Sequence, residues 1–235
     1  MTIQFETIGI VHSPYKEKFG VPRQPGLVPQ AHGSLELLPP YNRAETVIGL
    51  EGYSHIWIQF LFDRNPHGEW QPTVRPPRLG GNRRVGVFAS RSPFRPNPIG
   101  LSVVKLERVA LERGGVTLEI SGIDLVDGTP VLDIKPYLAY VDSIPEARSG
   151  YAESAPVADL EVRFSPLAER QLQQRQGGGA LKVLIEGVLA SDPRPAYRRS
   201  EQHGRVYGVR LHDFDLRWRL DEHGVEVVEL ASPAR

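Results

Sequence analysis

Residues 85–101 read VGVFASRSPFRPNPIGL, in which a strand-like apolar run enters a basic loop and a second strand pattern follows. Three prolines, Pro93, Pro96 and Pro98, fix φ in this loop and remove backbone donors. The loop therefore holds its polar side chains on a pre-ordered backbone, which is typical of a binding surface. Those side chains are Arg91, Ser92, Arg95 and Asn97.

The charge around this loop is strongly one-sided. Residues 70–106 contain no Asp or Glu but carry seven basic side chains, so the rest of a neutral chain is left at −7. A concentrated positive field suits a polyanion such as nucleic acid or a phosphorylated ligand. The alternative is that these arginines are solvent-exposed surface residues without a binding role, in a chain that has 23 Arg and 5 Lys. That alternative accounts for the arginines but not for the missing acids.

Composition excludes several other classes. The 235 residues are 40% hydrophobic and 24% charged, which is ordinary for a globular protein. The chain has no cysteine and its seven histidines lack zinc-site spacing, so we expect no metal. The N-terminus alternates in polarity rather than running apolar, and we expect neither a signal peptide nor a membrane span. These features predict a cytoplasmic protein.

Short strands separated by Pro/Gly-rich loops fill the first 140 residues. They are rich in β-branched and aromatic residues, which favours an antiparallel barrel or sandwich over a parallel sheet. The predicted strands are 2–11, 56–62, 85–89, 101–109, 116–120 and 131–140. Turns are predicted at Asp127-Gly128 and Gly114-Gly115.

A second unit follows a small, polar linker at residues 143–156. Ser165 and Pro166 form a helix start, and the helix is predicted to stop at the glycines 177–179. A second helix is predicted over 181–190, and three strands follow at VYGVRL, FDLRWRL and VEVVEL. We therefore predict a mainly β protein, with an N-terminal antiparallel β-barrel domain over 1–145 and a small α+β domain over 146–235.

No nucleotide or nucleophile motif accompanies the basic loop. The chain lacks GxSxG, a P-loop and a GxGxxG after a strand, and the glycines 177–179 are more simply a helix end and linker than a phosphate cradle. Three other loops could meet the Arg91 loop at one barrel end: residues 21–29, 63–66 and 122–130. The last carries Asp124 and Asp127, although an Asp-Gly hairpin and a self-capping aspartate would explain both without function.

Six strings of this sequence resemble one family. They are IGIVHSPYKEKFGVPRQPGL (8–27), GLEGYSHIWIQF (49–60), VGVFASRSPFRPNPIG (85–100), GIDLVDGTPVLDIKPYL (122–138), DPRPAYR (192–198) and LHDFDLRWR (211–219). Together they resemble the TrmO (YaeB-like) family of tRNA methyltransferases. These enzymes use S-adenosylmethionine to methylate N6 of threonylcarbamoyladenosine beside the anticodon, here expected in threonine tRNA.

The resemblance implies a non-Rossmann barrel of six or seven strands that binds the cofactor, in a homodimer. By motif position, the implied cofactor contacts are Gln24, Pro25, Gly26, Asp63, Arg64, Arg91, Leu101, Asp127, Gly128, Thr129 and Pro130. Asp127, Arg91, Gln24 and Leu101 are of the types that the parts of this cofactor require. The proton acceptor is left open between Asp124, Asp127 and water.

The charge pattern assigns a second surface to RNA. Phosphates of an anticodon loop would be held by basic side chains while an unstacked base is read on its edges. The predicted RNA-binding residues are Arg75, Arg78, Arg83, Arg84, Arg95, Asn97, Arg194, Arg198 and Arg199.

Two rival functions remain open. A non-catalytic RNA-binding barrel would show a row of exposed aromatics for base stacking. Phe60, Phe62 and Phe88 are predicted to lie in the core, with only Phe94 in the basic loop. A barrel for a small phosphorylated metabolite would not need the long acid-free segment.

Overall fold

The structure is a computed structural model that describes residues 3–65, 70–112, 114–194 and 204–233. Within these ranges the first half contains eight strands: β1 (Gly9–His12), β2 (His32–Leu37), β3 (His55–Leu61), β4 (Thr73–Val74), β5 (Val85–Gly86), β6 (Ile99–Glu112), β7 (Gly115–Ser121) and β8 (Pro130–Pro136). The second half contains the helices α1 (Ala139–Asp142), α2 (Pro166–Gln173) and α3 (Gly178–Ala190), and the strands β9 (Val162–Phe164), β10 (Val206–Leu211), β11 (Phe214–Asp221) and β12 (Gly224–Ala231).

Six strands close into an antiparallel barrel, which confirms the predicted fold class. The order around the barrel is β1-β2-β7-β6-β3-β8, and β8 pairs back onto β1. Strand β3 shows why the chain folds this way, because Ile56, Ile58 and Phe60 are buried while the residues between them are more exposed. A period of two places one apolar face inside the barrel.

The barrel interior leaves little spare room. A side chain at Gly100 on β6 would meet the ring of Phe60 on β3, since a Cβ built there lies 2.1 Å from a ring atom. The absence of a side chain therefore allows a large aromatic ring to fill the interior between two paired strands.

Several predicted boundaries were wrong. The strand predicted over 2–11 is confined to Gly9–His12, and β2 was missed. The run predicted over 85–89 is a strand only at Val85–Gly86 and then turns into a short 3₁₀ helix, Val87–Ala89. Phe88 in that helix is 76% exposed, so its prediction as a core residue was also wrong.

The second half is built as a four-stranded sheet with the two longer helices, α2 and α3. β10, β11 and β12 form the predicted antiparallel meander, and β9 adds to β12 in parallel. Helix α2 begins at the predicted N-cap, where the Ser165 side chain accepts a hydrogen bond from the backbone N–H of Ala168. Helix α3 starts at Gly178 rather than at residue 181, so two of the three glycines belong to the helix.

The two halves share one continuous core. Tyr15 makes a β-bridge with Leu211, and Pro14 O accepts a hydrogen bond from the N–H of His212 at 2.8 Å. Val28 packs where α3 has Gly187, at which a Cβ would lie 2.9 Å from a Val28 methyl. The long connection between β1 and β2 is therefore held against the second half of the chain.

Candidate active site

Strand direction brings three connections to one end of the barrel. The loops after β1 (13–31), after β3 (62–98) and after β7 (122–129) all leave from this end, because neighbouring strands are antiparallel. Gly26 N donates to Gly122 O at 2.8 Å, which joins the first loop to the third. The side chain of Arg91 donates to Gln24 Oε1 at 2.7 Å, which joins the second loop to the first.

Asp124 lies in the third loop beside the inner wall of the barrel. It is partly buried, and its carboxylate accepts a hydrogen bond from the Ser102 hydroxyl on β6 at 2.6 Å. Burial raises the pKa of Asp124 to about 6, although the Ser102 hydrogen bond and the charge of Arg91 act in the opposite direction. A carboxyl group with this pKa can exchange a proton near neutral pH.

Asp127 lies three residues further along in a different environment. Its carboxylate accepts the backbone N–H of Ser13 at 3.0 Å and forms an ion pair with Lys16 at 2.9 Å. Partial burial alone would raise the pKa of Asp127, but the contacts with Lys16 and Ser13 outweigh it and hold the pKa below its usual value. Asp127 is therefore a fixed negative charge at neutral pH.

Arg64 connects the loops through backbone carbonyls. Its guanidinium donates to the carbonyls of Lys16 (3.1 Å) and Asp127, and it also lies near the carboxylate of Asp63, at 3.9 Å. Lys18 donates to the carbonyl of Arg64 and to Asn65 Oδ1 at 3.0 Å. These contacts fix the Asp127–Gly128 turn relative to the first loop.

The basic loop is stapled by one of its own arginines. The side chain of Arg95 donates to the carbonyls of Ser90 at 2.9 Å and Ser92 at 3.3 Å, on either side of Arg91. The Ser90 and Ser92 hydroxyls also accept backbone N–H groups within the loop. Arg95 therefore holds the backbone that presents Arg91, a role that differs from the predicted phosphate contact.

The remaining predicted cofactor residues differ in accessibility. Gln24, Pro25 and Gly26 lie together in the first loop, beside Gly122 and Arg91. Thr129 is 4% exposed and its hydroxyl donates to Val126 O, so it stabilises its own turn before Pro130 begins β8. Leu101 is 47% exposed on the outer wall of the barrel. The next residue on β6, Ser102, points inward and its hydroxyl donates a hydrogen bond to Asp124.

The predicted RNA-binding residues divide into two groups. Exposed side chains on the second loop are Arg75, Arg78, Arg83, Arg84 and Asn97. Arg78 donates to the carbonyl of Ser154, and Arg84 donates to the Thr73 hydroxyl at 3.2 Å. Among the described residues, the guanidinium groups of Arg75 and Arg83 have no hydrogen-bonding or ion-pairing partner.

Arg194 departs from the expected surface. Its side chain is 7% exposed, it is paired with Asp192 at 2.8 Å, and it lies over the ring of Tyr207. This arginine is built into the second half of the protein, and we leave it out of the RNA surface. Arg198 and Arg199 lie outside the described residues.

Tyr15 is a site residue that the sequence analysis missed. It is fully buried, and its hydroxyl has no hydrogen-bonding partner in the described part of the chain. Burial, and then the charge of Asp124, raise the pKa of Tyr15 well above its usual value. The hydroxyl is thus a neutral donor close to Asp124.

Lys16 and Ser102 were also missed. Lys16 is one of five lysines in the chain and follows Ser13-Pro14-Tyr15, which is a signal that could have been used. Ser102 is a single polar residue on the buried face of β6, with 1% exposure, and a buried hydroxyl needs a partner.

Two further properties concern only the described residues. No cluster of three or more His, Asp or Glu side chains there is arranged to hold a metal ion. None of the helices in the same ranges has the length and apolar character needed to cross a bilayer.

Comparison with known proteins identifies the class to which this barrel and site belong. The family model of the tRNA-methyltransferase O N-terminal domain matches residues 10–143, and that of the TrmO C-terminal domain matches residues 157–233. The chain belongs to the tRNA-methyltransferase O family.

Individual relatives cover almost the whole chain. A tRNA (adenine(37)-N6)-methyltransferase of Escherichia coli K12 is 55% identical over 230 residues, which is 97% of this chain and 98% of that protein. A putative S-adenosylmethionine-dependent methyltransferase of Pseudomonas aeruginosa, RcsF, is 50% identical and covers 93% of each chain. A crystal structure of TrmO from P. aeruginosa superposes with a TM-score of 0.80 at 42% identity, covering 99% of both chains.

The name of the RcsF relative gives S-adenosylmethionine as its cofactor, and the residues at this barrel end can be compared with the groups of that molecule. S-Adenosylmethionine presents an ammonium, a carboxylate, a ribose diol and an adenine. The site offers the exposed acid Asp63, the exposed guanidinium of Arg91 and the amide of Gln24. The buried Tyr15 hydroxyl, for which the described residues supply no hydrogen-bonding partner, is a further donor near Asp124.

Proposed function

We propose that this protein transfers a methyl group from S-adenosylmethionine to N6 of adenosine 37 of tRNA. The observation that carries the proposal is the meeting of three loops at one barrel end, where Arg91, Asp124 and Asp127 lie beside an acid-free basic segment. Membership of the tRNA-methyltransferase O family and the activity named for the E. coli relative support it.

The finer substrate is N6-threonylcarbamoyladenosine in threonine tRNA, and the product is its N6-methylated form, m6t6A. The carbamoyl group makes the N6 proton more acidic than in unmodified adenosine. The threonyl carboxylate also adds a negative charge to the base, which suits a surface rich in arginine.

The cofactor, when bound, supplies an electrophilic methyl group on a sulfonium centre. Arg91 is the residue for the cofactor carboxylate, because its guanidinium is exposed and is held by Gln24 and the stapled loop. Asp63 and the fixed charge of Asp127 are the acceptors for the ammonium and ribose groups. Positioning of two reactants in this way can supply on the order of 7–11 kcal/mol of the barrier.

Asp124 is the group that accepts the N6 proton. Its pKa of about 6 leaves it ionised but basic at neutral pH, whereas the contacts of Asp127 make that carboxylate a weak base. Ser102 orients the Asp124 carboxylate from the barrel wall, at 2.6 Å. The Tyr15 hydroxyl stays protonated and contributes a donor from the buried side.

A cytoplasmic homodimer is the form in which we propose the protein acts. Leu101 supports this, since an apolar side chain 47% exposed on the outer barrel wall suits a cofactor bound near a subunit boundary. The absence of cysteine agrees with a reducing compartment.

The test is methyl transfer from labelled S-adenosylmethionine to threonine tRNA prepared with and without its threonylcarbamoyl group, followed by nucleoside mass spectrometry. We expect label on N6 of the modified adenosine only. Label on unmodified adenosine 37 as well would reject the finer substrate but keep the reaction. No transfer and no cofactor binding, with tRNA still bound, would replace this function with that of a non-catalytic RNA-binding barrel.

A further inference from the structure

Phe88 is an aromatic side chain for which the fold itself gives no reason. Its ring is 76% exposed, while Val87 beside it is 2% exposed and anchors the short 3₁₀ helix Val87–Ala89. Burying a phenylalanine side chain is among the larger single contributions to a core. A ring left outside on an anchored backbone is therefore available to a partner.

The backbone that carries Phe88 is ordered by its own contacts. β4 and β5 pair just before it, and Val87 N donates to Pro72 O at 3.1 Å. After the ring, Ser90 N donates to Val87 O at 3.2 Å. The ring is thus displayed from a short 3₁₀ helix that is anchored to a two-stranded ribbon, rather than from a free loop.

The surroundings of this ring define the chemistry of the partner. Arg83 and Arg84 precede it, Arg91 follows it, and all three are exposed in the segment without Asp or Glu. Through its bond to Gln24, Arg91 also joins this ribbon to the candidate cofactor site. Charge complementarity therefore favours a polyanion, and an exposed ring favours one with flat, unpaired bases.

We propose that Phe88 is a stacking platform for an unpaired nucleobase of the tRNA anticodon loop, next to the adenosine that is methylated. The inference rests on the proposed function, and it adds a residue that selects single-stranded loop over duplex. Phosphate groups are present in loop and duplex alike, whereas the face of an unpaired base is open for stacking only where the strand is unpaired. Any base can stack on an aromatic ring. The platform therefore gives a preference for unpaired over paired RNA, and none for a particular sequence.

The experiment compares binding of two RNA probes to the full-length protein by fluorescence anisotropy. One probe is the anticodon stem-loop of threonine tRNA, and the other is a fully paired duplex of equal phosphate number. The variants are Phe88→Ala, Phe88→Leu and Phe88→Trp. Ile48→Ala is the matched control, since Ile48 is 82% exposed in the connection between β2 and β3, at the other barrel end.

We expect Phe88→Ala to weaken stem-loop binding by roughly tenfold or more, as loss of one stacked base does, and to leave duplex binding unchanged. Phe88→Trp should retain stem-loop affinity, Phe88→Leu should behave like Phe88→Ala, and Ile48→Ala should have no effect. Cofactor affinity and the oligomeric state of every variant should match those of the unsubstituted protein.

Other outcomes overturn the proposal. Equal stem-loop affinity for Phe88→Ala would remove the platform, and full retention by Phe88→Leu would mean apolar docking of another partner. A changed oligomeric state would assign the ring to an interface between copies of this chain. Failure of the proposed function would appear differently, as absent methyl transfer by the unsubstituted protein, whereas failure of this inference appears only in the variants.

Discussion

At the scale of residues, two aspartates three positions apart have opposite electrostatic environments. Asp124 is desolvated beside the barrel wall, which raises its pKa, and Asp127 is held by Lys16 and a backbone N–H, which lower its pKa. When two neighbouring carboxyl groups have pKa values shifted in opposite directions, one can act as a proton acceptor while the other remains a fixed charge.

The first prediction concerns the pH dependence of methyl transfer. Because the acceptor must be ionised, the rate under single-turnover conditions should rise with pH and level off above an inflection near 6, the pKa of Asp124. Asp124→Asn should lower the rate and abolish the inflection, while cofactor affinity stays near that of the parent. If the variant kept the same inflection, a group other than Asp124 would be the proton acceptor.

The second prediction concerns stability. The folded pKa of Asp124, about 6, exceeds the ordinary 3.8, so the folded state holds the proton more tightly and stability falls as pH rises between these values. Asp124→Asn should therefore be more stable than the parent at pH 7, by on the order of 3 kcal/mol. Urea unfolding should show the difference narrowing as pH falls to 4. A difference independent of pH would contradict the burial argument.

At the scale of elements, the connection between β3 and β6 carries Arg91 and most of the residues for which we propose a role in RNA binding. Its prolines restrict the backbone, and Arg95 ties the carbonyls of Ser90 and Ser92 together around Arg91. The loop is therefore ordered before any ligand binds, which lowers the entropic cost of binding.

The third prediction follows from this staple. Arg95→Ala removes two hydrogen bonds, each worth about 1 kcal/mol, and should weaken S-adenosylmethionine binding roughly tenfold by releasing Arg91. Arg95→Lys should restore part of the loss, since one donor remains. Arg83→Ala, an exposed arginine of the same segment, is the control and should bind the cofactor normally in calorimetry. If Arg95→Ala bound S-adenosylmethionine with normal affinity, the predicted RNA-binding role of Arg95 would be favoured instead.

Residue composition and turn chemistry predicted much of the fold from the sequence. The β-branched and aromatic residues of β3 and β7, the Ser165-Pro166 start of α2 and the C-terminal meander are all local signals, and the structure confirms them. The β2 segment HGSLEL was missed because its glycine and serine weaken the strand pattern, and pairing with β1 and β7 outweighs that local preference.

Only part of the candidate site could be predicted from the sequence. The proline-rich basic loop pointed to Arg91, the family resemblance implied Gln24, and the structure brings these two side chains together. Tyr15 and Ser102 look like ordinary strand or loop residues until the barrel closes, because their importance comes from burial beside Asp124. The cofactor and RNA roles of the predicted residues, and the domain division after residue 145, remain predictions.

At the scale of the whole molecule, the second half of the chain supports the site. Arg210 N donates to Glu17 Oε1 at 2.9 Å, and the bridge from Tyr15 to Leu211 lies two residues after Ser13, which binds Asp127. The C-terminal sheet thus holds the loop after β1, and that loop in turn holds the Asp127–Gly128 turn. Although the whole chain is neutral, residues 70–106 carry a net charge of +7, and we expect this segment to attract a polyanion.

The fourth prediction measures that field. Arg75 and Arg83 are exposed and are not used by the described structure, so each is free to hold a phosphate. Replacing either by Ala should lower the slope of log affinity against log salt for tRNA by about one unit and leave cofactor affinity unchanged. An unchanged slope for both variants would reject the basic segment as the RNA surface.

The most direct test of the central claim is calorimetric binding of S-adenosylmethionine to the protein, to Arg91→Ala and to Arg108→Ala. Arg108 is a control on the barrel wall, where it pairs with Glu119. If the barrel end holds the cofactor, Arg91→Ala should bind roughly 10- to 100-fold more weakly, as loss of a charged hydrogen bond predicts, and Arg108→Ala should bind normally. Equal affinities for all three proteins would contradict the assignment of this barrel end as the cofactor site.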